Sequence, residues 1–291
     1  MRKLTSTSSG IIAVALAALG LSIGHNAYAA TLISDGFSGT AGTSIAGRTP
    51  DTADQGGATW VEYGTTNNVG GTTPISISPD IQLSGNNSAA FPLYTGSGAY
   101  ADVGAAINFN ADTSPTGGTL TASATINAAN NGAEWLALGF GPSNPTNNYG
   151  PWTGGPWVLV KHTGEVQFFA TGGTGNLVVD DTAAENTTGS HSIAISYDPG
   201  TSTVSLSVDG TAVTGGSYVY GGTNAAAPAS WGSVFVDNRY KYSYTPIAGA
   251  TDYGSFSNVL VSGTPVPEPV PLALFGVGAM GLVLLRRRHT C

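Results

Sequence analysis

Between Ser190 and Thr214 the chain alternates apolar and polar residues with a period of two, broken twice by turn chemistry. Ile193, Ile195 and Tyr197 alternate with Ala194 and Ser196, and Asp198-Pro199-Gly200 follows; Val204, Leu206 and Val208 then alternate with Ser205 and Ser207 before Asp209-Gly210. A period of two with apolar residues on one side is that of a half-buried strand, and Asp-Gly between two such runs closes a tight hairpin. Three consecutive antiparallel strands are predicted here. Leu120, Ala122, Ala124 and Ile126 repeat the pattern, whereas Trp135 to Phe140, Trp157 to Val160 and Val166 to Phe169 are dense apolar runs expected inside a sheet covered on both faces. Thr31 to Phe37, Thr59 to Tyr63, Ala89 to Tyr94, Ala101 to Phe109, Leu177 to Asp180, Val234 to Asp237 and Ser255 to Val261 complete a set of about thirteen strands, at the spacing of a two-sheet sandwich. No run carries the period of an amphipathic helix.

The two ends have a different character. Arg2 and Lys3 precede the apolar run Ile11 to Ile23 and the small-residue site Ala27-Tyr28-Ala29, so residues 1–29 are expected to be a secretory signal peptide handled by the Sec machinery. Residues 265–291 hold Pro267-Glu268-Pro269, sixteen apolar residues from Val270 to Leu285, and Arg286, Arg287 and Arg288. Such a helix would rise about 24 Å, short for a permanent span, and its arginines would stay on the cytoplasmic side. Both ends therefore place the body, residues 30–264, outside the cytoplasm. The closing segment resembles the PEP-CTERM sorting signal of diderm bacteria. That resemblance implies transient anchoring of the C-terminal helix in the inner membrane. It also implies processing by an exosortase-like peptidase and a final place at the cell surface or in an extracellular matrix.

Composition narrows the partners. Of 291 residues 42 are glycine and only 9 % are charged, with a net charge of −8. Within residues 30–264 the basic residues are Arg48, Lys161, Arg239 and Lys241, against 16 acidic ones. A surface of that sign repels phosphate backbones, which excludes nucleic acid as a partner. The single cysteine, Cys291, lies beyond the arginines, so the body has no disulfide.

Several segments resemble the concanavalin A-like lectin/glucanase superfamily in its laminin-G-like form. They are Asp35-Gly36-Phe37 leading to Ala46-Gly47-Arg48-Thr49-Pro50-Asp51 and Trp60, Trp135 to Phe140, His191 to Tyr197, Val208-Asp209-Gly210, and Phe256-Ser257-Asn258-Val259. The resemblance implies an all-β jelly roll of two curved antiparallel sheets, with the first and last strands as neighbours. If they are neighbours, Asp35 and Asp252 approach one another, and a structural calcium ion held by these two carboxylates is the expected cofactor, if any. The fold itself implies no single activity, because lectins, hydrolases and adhesion modules share it.

Catalytic residues are not evident. Retaining glycoside hydrolysis needs two carboxylates about 5 to 5.5 Å apart, yet no Glu-x-Asp-x-Glu run occurs; Glu62, Glu134, Glu165 and Glu185 each stand alone, and Asp180, Asp181 and Glu185 read as solvated charges. There is no Gly-x-Ser-x-Gly elbow, and His162 and His191 are the only histidines of the body. Aromatic residues offer more. Tyr149 and Trp152 lie in the long Pro/Gly/Asn loop from Pro142 to Pro156, with Trp157 at its exit, and Tyr240, Tyr242 and Tyr244 alternate with Arg239 and Lys241. Flat rings stack on sugars while nearby amides and carboxylates bind sugar hydroxyls; the same residues would serve equally as sheet formers. The expectation is a non-catalytic glycan-binding or structural module with extracellular polysaccharide as partner; the alternative is an extracellular glycan-active hydrolase.

Overall fold

The computed structural model describes residues 29–67, 75–76, 81–92, 100–128, 133–143, 155–161, 163–173, 176–181, 189–228, 231–241 and 252–264. The described residues form strands β1 (Ala30–Asp35), β2 (Thr52–Ala53), β3 (Val61–Asn67), β4 (Ile75–Ser76), β5 (Gln82–Leu83), β6 (Ala89–Pro92), β7 (Tyr100–Asn108), β8 (Leu120–Asn127) and β9 (Ala133–Gly141). They continue with β10 (Trp157–Val160), β11 (Val166–Phe169), β12 (Leu177–Asp181), β13 (Ser190–Asp198), β14 (Thr203–Val208), β15 (Thr211–Val219), β16 (Ser233–Lys241) and β17 (Asp252–Gly263). All pair antiparallel in two sheets. The first runs β15-β14-β13-β8-β17-β1-β2, with β6 also on β17 and β5 on β6; the second runs β12-β11-β10-β9-β16-β7-β3-β4. This is the all-β two-sheet sandwich expected, and β1 does lie beside β17, Asp35 opposite Val259.

Strand periodicity decides which side chains meet between the sheets. Along β8 buried and half-exposed residues alternate, as they do along β14, so Leu120, Ala122, Ala124 and Ile126 face the core and Thr121, Ser123 and Thr125 face out. The β14–β15 hairpin turns at Asp209 (φ +50°) and Gly210 (φ +77°), the left-handed pair that a two-residue turn of the sheet's own twist requires. By contrast all four residues of β10 are buried, because both faces of that strand are covered. The two-residue strands β2, β4 and β5 are too short to carry a period and have no sequence signal.

One polar group ties the sheets at the β1 edge. The carboxylate of Asp35, fully buried, accepts from the Phe37 amide (2.8 Å), Arg48 Nη2 (2.9 Å), Arg48 Nε (3.1 Å) and Trp60 Nε1 (2.9 Å). Asp35 ends β1 of the first sheet, whereas Trp60 leads directly into β3 of the second. The hydrogen bonds and charge of Asp35, helped by Asp51, hold Arg48 protonated more firmly than an ordinary arginine, against the effect of burial. Phe37, at φ +53°, drops its ring between Trp60 (5.6 Å) and Phe256 (5.0 Å, edge-on). Elsewhere in the core Tyr197 stacks on Trp231 at 4.1 Å. The buried Tyr220 hydroxyl donates to the Ala170 carbonyl, again from the first sheet to the second, and its burial, with Tyr197 and Tyr218 nearby, raises its pKa.

Replacing Asp35 by alanine leaves the partly exposed Arg48 guanidinium and the buried Trp60 indole N–H without their shared acceptor, a change that costs about 1–3 kcal/mol. Urea unfolding of Asp35→Ala is expected to show a loss of that size; an unchanged midpoint would refute the clasp.

Candidate functional site

The second sheet has apolar side chains on both faces. One face meets the first sheet; the other carries Tyr63 from β3, Ala106 from β7, Phe235 from β16, Trp135 and Ala137 from β9, Trp157 and Leu159 from β10 and Phe169 from β11, in one contiguous buried cluster. Register explains their grouping. Val61, Ala106, Phe235, Gly139, Trp157 and Phe169 form one row across the strands, and Tyr63, Gly104, Asp237, Ala137, Leu159, Gln167 and Asp180 form the next. Two glycines make the rows possible. A Cβ on Gly139 would stand 2.3 Å from the Phe235 ring and 2.7 Å from Trp157 Cβ; on Gly104 it would stand 2.3 Å from the Tyr63 hydroxyl and 2.7 Å from Asp237 Oδ2. Glycine inside a strand is the usual mark of such a close approach.

Trp157 was expected among exposed stacking rings and is not one. It is 1 % exposed, lies stacked on Phe169 at 4.3 Å with Trp135 at 5.6 Å, and donates its indole N–H to the Gly173 carbonyl at 3.2 Å. Its ring is committed to packing because Phe169 sits directly opposite it across the β10–β11 pair. Tyr240 is described in backbone only, opposite Ala101 and Ala133, while Tyr149, Trp152, Tyr242 and Tyr244 lie outside the described residues. So do Pro267, Glu268, Pro269, Arg286, Arg287 and Arg288.

Beside the aromatic rows, on the β11–β12 edge, is a polar ledge. Lys161 Nζ bonds Glu165 Oε1, and Gln167 Nε2 donates both to Glu165 Oε1 (2.9 Å) and to Asp180 Oδ1 (3.0 Å). Asp180 is thus a strand residue opposite Gln167, not a loop charge, and Glu165 does not stand alone. The two carboxylates come within about 6 Å of each other through the shared amide, close to the separation of a retaining pair. The Gln167 amide, however, fills the space between them, and Lys161 occupies Glu165. Asp237 offers no substitute partner. It lies three strand spacings from β11 and four from β12, about 14 and 19 Å, beyond the reach of either retaining or inverting geometry.

Asp35 and Asp252 do not come together. Asp35 pairs with Val259, and Asp252 lies seven residues back along β17, roughly 20 Å away. Asp252 Oδ1 accepts from the Gly254 amide, and the oxygens of Asp35 are already filled by N–H donors, so these residues do not fit a calcium ion. Among the described residues no group of three or more His, Cys, Asp or Glu side chains could hold a metal. His191, core-facing and buried, bonds Asp209 Oδ2 through Nδ1 at 2.8 Å, while Asp209 Oδ1 accepts the Ser192 amide at 2.7 Å. The pair joins β13 to the β14–β15 turn.

No protein-family model matches the chain, and no curated protein matches it in sequence. Solved structures do. An endo-1,3-β-glucanase from Streptomyces sioyaensis superposes with a TM-score of 0.55 at 18 % identity, over 82 % of this chain and 97 % of the glucanase. The likeness is one of fold. A Bacillus licheniformis β-glucanase (TM-score 0.41, 12 % identity, 78 % of this chain and 99 % of that one) and the basic winged bean lectin (0.39, 11 %, 72 % and 100 %) are more distant.

Burial opposes it, but the His191 hydrogen bond, the Ser192 amide and the His191 charge hold the Asp209 carboxyl below its ordinary range. A lowered carboxylate pKa stabilises the fold above the unfolded value, near 3.9, and loses that contribution as pH falls through the folded one. Thermal unfolding between pH 5 and 2 is therefore expected to fall more steeply in the parent than in Asp209→Asn; parallel curves would contradict the linkage.

Proposed function

We propose that the chain is an exported glycan-binding or structural module of the cell surface or extracellular matrix, without catalytic activity of its own. The observation that carries this reading is the polar ledge at the rim of an aromatic sheet face. Lys161, Glu165, Gln167 and Asp180 present ammonium, amide and carboxylate groups in one hydrogen-bonded line beside Leu159 and Trp157. Sugar hydroxyls exchange readily with such groups, each acting as donor and acceptor, while apolar rings nearby shelter the contacts from water. Few charges on the body favour a hydroxyl-rich partner over an ionic one. Glucanase and lectin folds among the structural neighbours agree with that partner class.

The terminal segments support export. Residues 1–29 serve as the signal for the Sec machinery, and residues 265–291 anchor the chain in the inner membrane until an exosortase-like peptidase cuts near Pro267-Glu268-Pro269. Mass spectrometry of the protein recovered from the surface of the producing cell is expected to show loss of both segments. Recovery of the intact C-terminal arginines would reject the sorting step.

A hydrolase is the second reading, favoured by the approach of Glu165 to Asp180. Titration of the purified chain against a polysaccharide panel, with release of reducing ends followed in parallel, separates the two. Binding by the parent, weakened about fivefold or more in Gln167→Ala or Asp180→Ala as a lost hydrogen bond would do, with no sugar release, supports the module. Sugar release abolished by Glu165→Gln would establish the enzyme instead. Unaltered binding in all three variants would exclude the ledge.

A further inference from the structure

On the opposite side of the molecule, the outer face of the first sheet holds a second polar feature that the ledge does not explain. The strand β17 bulges there against β8. Ser257 pairs with Thr125 and Leu260 with Ser123, so Asn258 and Val259 together oppose Ala124 alone, and Asn258 is held at φ +51°. The extra residue opens a cavity of about 370 Å³ lined by Ser34, Asp51, Ser123, Thr125, Ser192 and Asn258, with the half-exposed Leu260 at its side. A residue other than glycine held left-handed in a strand is a stored strain, and bulges re-aim side chains where pairing alone would bury or flatten them.

The lining selects the ligand by elimination. A hard divalent cation needs several charged oxygens, and of the two aspartates that line the cavity Asp35 has both oxygens filled by N–H donors while Asp51 Oδ2 already accepts the Gly36 amide at 2.9 Å. An anion needs a cation to spare, and the nearby guanidinium of Arg48 is taken by Asp35, the Ser38 carbonyl and, at 3.5 Å, Asp51. An apolar ligand would leave four hydroxyls and the Asn258 amide oxygen to be desolvated at a cost, the Asn258 Nδ2 alone reaching Ser257 Oγ at 3.5 Å. What remains is a small neutral molecule bearing several hydroxyls. Serine and threonine hydroxyls and the Asn258 amide both donate and accept, the remaining capacity of Asp51 accepts, and Leu260 meets the C–H face of a ring. The volume is at the lower end for small-ligand sites and holds one or two sugar units.

We infer that the β17 bulge forms a binding site for a neutral mono- or disaccharide, separate from the ledge on the other sheet. Being on the opposite face, it can be occupied whether or not the ledge binds anything. The two sites together would let one molecule hold two glycan segments, with avidity greater than either contact alone.

Saturation-transfer NMR and calorimetry of the purified full chain with glucose, galactose, mannose, N-acetylglucosamine and their β-linked disaccharides test the inference. Asn258→Gly is the informative variant, because glycine accepts φ +51° without strain and the fold is kept while the amide is lost. The expected result is binding by the parent that falls about tenfold in Asn258→Gly and in Thr125→Val, with the melting temperature kept and with no change in Ser205→Ala, on the same sheet but outside the cavity lining. Absence of binding to every sugar of the panel at tens of millimolar would overturn the site. Binding that is indifferent to Asn258→Gly and Thr125→Val but lost in Gln167→Ala would overturn it too, and would leave the ledge intact. A melting temperature raised by calcium in the parent and not in Asp51→Asn would replace the sugar with a cation.

Discussion

A buried carboxylate with no lysine or arginine beside it would be too costly for a fold with so few charges, and the β1 edge of this sandwich is organised around avoiding that cost. Asp35 is desolvated completely, and its four N–H donors come from three different places in the chain: the next turn, the loop to Arg48 and the residue before β3. Only when β1 has reached β17 and the loop has folded back do these donors converge. The group therefore rewards one arrangement of the two sheets and penalises others that bury the same apolar area. Phe37 depends on it directly, since its amide is one of the donors and its left-handed backbone sends the ring between Trp60 and Phe256.

The second sheet shows the complementary problem, a surplus of apolar surface. Most sandwiches need one buried face per sheet, yet here Trp135, Trp157, Phe169 and Phe235 lie on the face turned away from the first sheet. Rings of that size fit in adjacent rows only where neighbouring strands give up their side chains, and Gly104 and Gly139 do so. The polar residues on the same face are pushed to its rim or, for Asp237, held where Gly104 leaves space. The ledge of Lys161, Glu165, Gln167 and Asp180 is thus a consequence of register: the aromatic residues take the central strands, and the hydrogen-bonding groups are left at the β11–β12 edge.

Strand existence was legible wherever alternation met turn chemistry. The β13–β15 run is readable because Ile193, Ile195, Val204, Leu206 and Val208 keep one phase and Asp209-Gly210 can adopt only a few turns. Burial of β10 was legible from Trp157-Val-Leu-Val, but not which face each residue used, and so Trp157 reads as a platform when it is a packing residue. Nothing local marks Asp35 as the partner of Arg48 and Trp60, 13 and 25 residues away. Likewise Glu165 reads as solitary and Asp180 as one of a group of solvated charges, because the amide joining them is set by β11–β12 register. The strained Asn258 leaves no trace in composition or period. Gly104 and Gly139 were the available signal for close packing, as glycines inside apolar strand patterns.

The last strand links these features to the end of the fold. Its first half pairs with β6, its second half with β1, and its other edge runs along β8 through the bulge, so β17 takes part in both the Asp35 clasp and the outer cavity. The chain is then pinned at Thr264, whose carbonyl accepts the Asp112 amide at 2.7 Å and whose hydroxyl accepts the Gly118 amide at 3.0 Å. Gly118 has no side chain to obstruct that contact; a Cβ there would stand 2.6 Å from the Thr264 hydroxyl. A cut beyond Thr264 leaves each of these bonds in place, whereas a cut a few residues earlier would remove the partner of β1 and with it the register that buries Asp35.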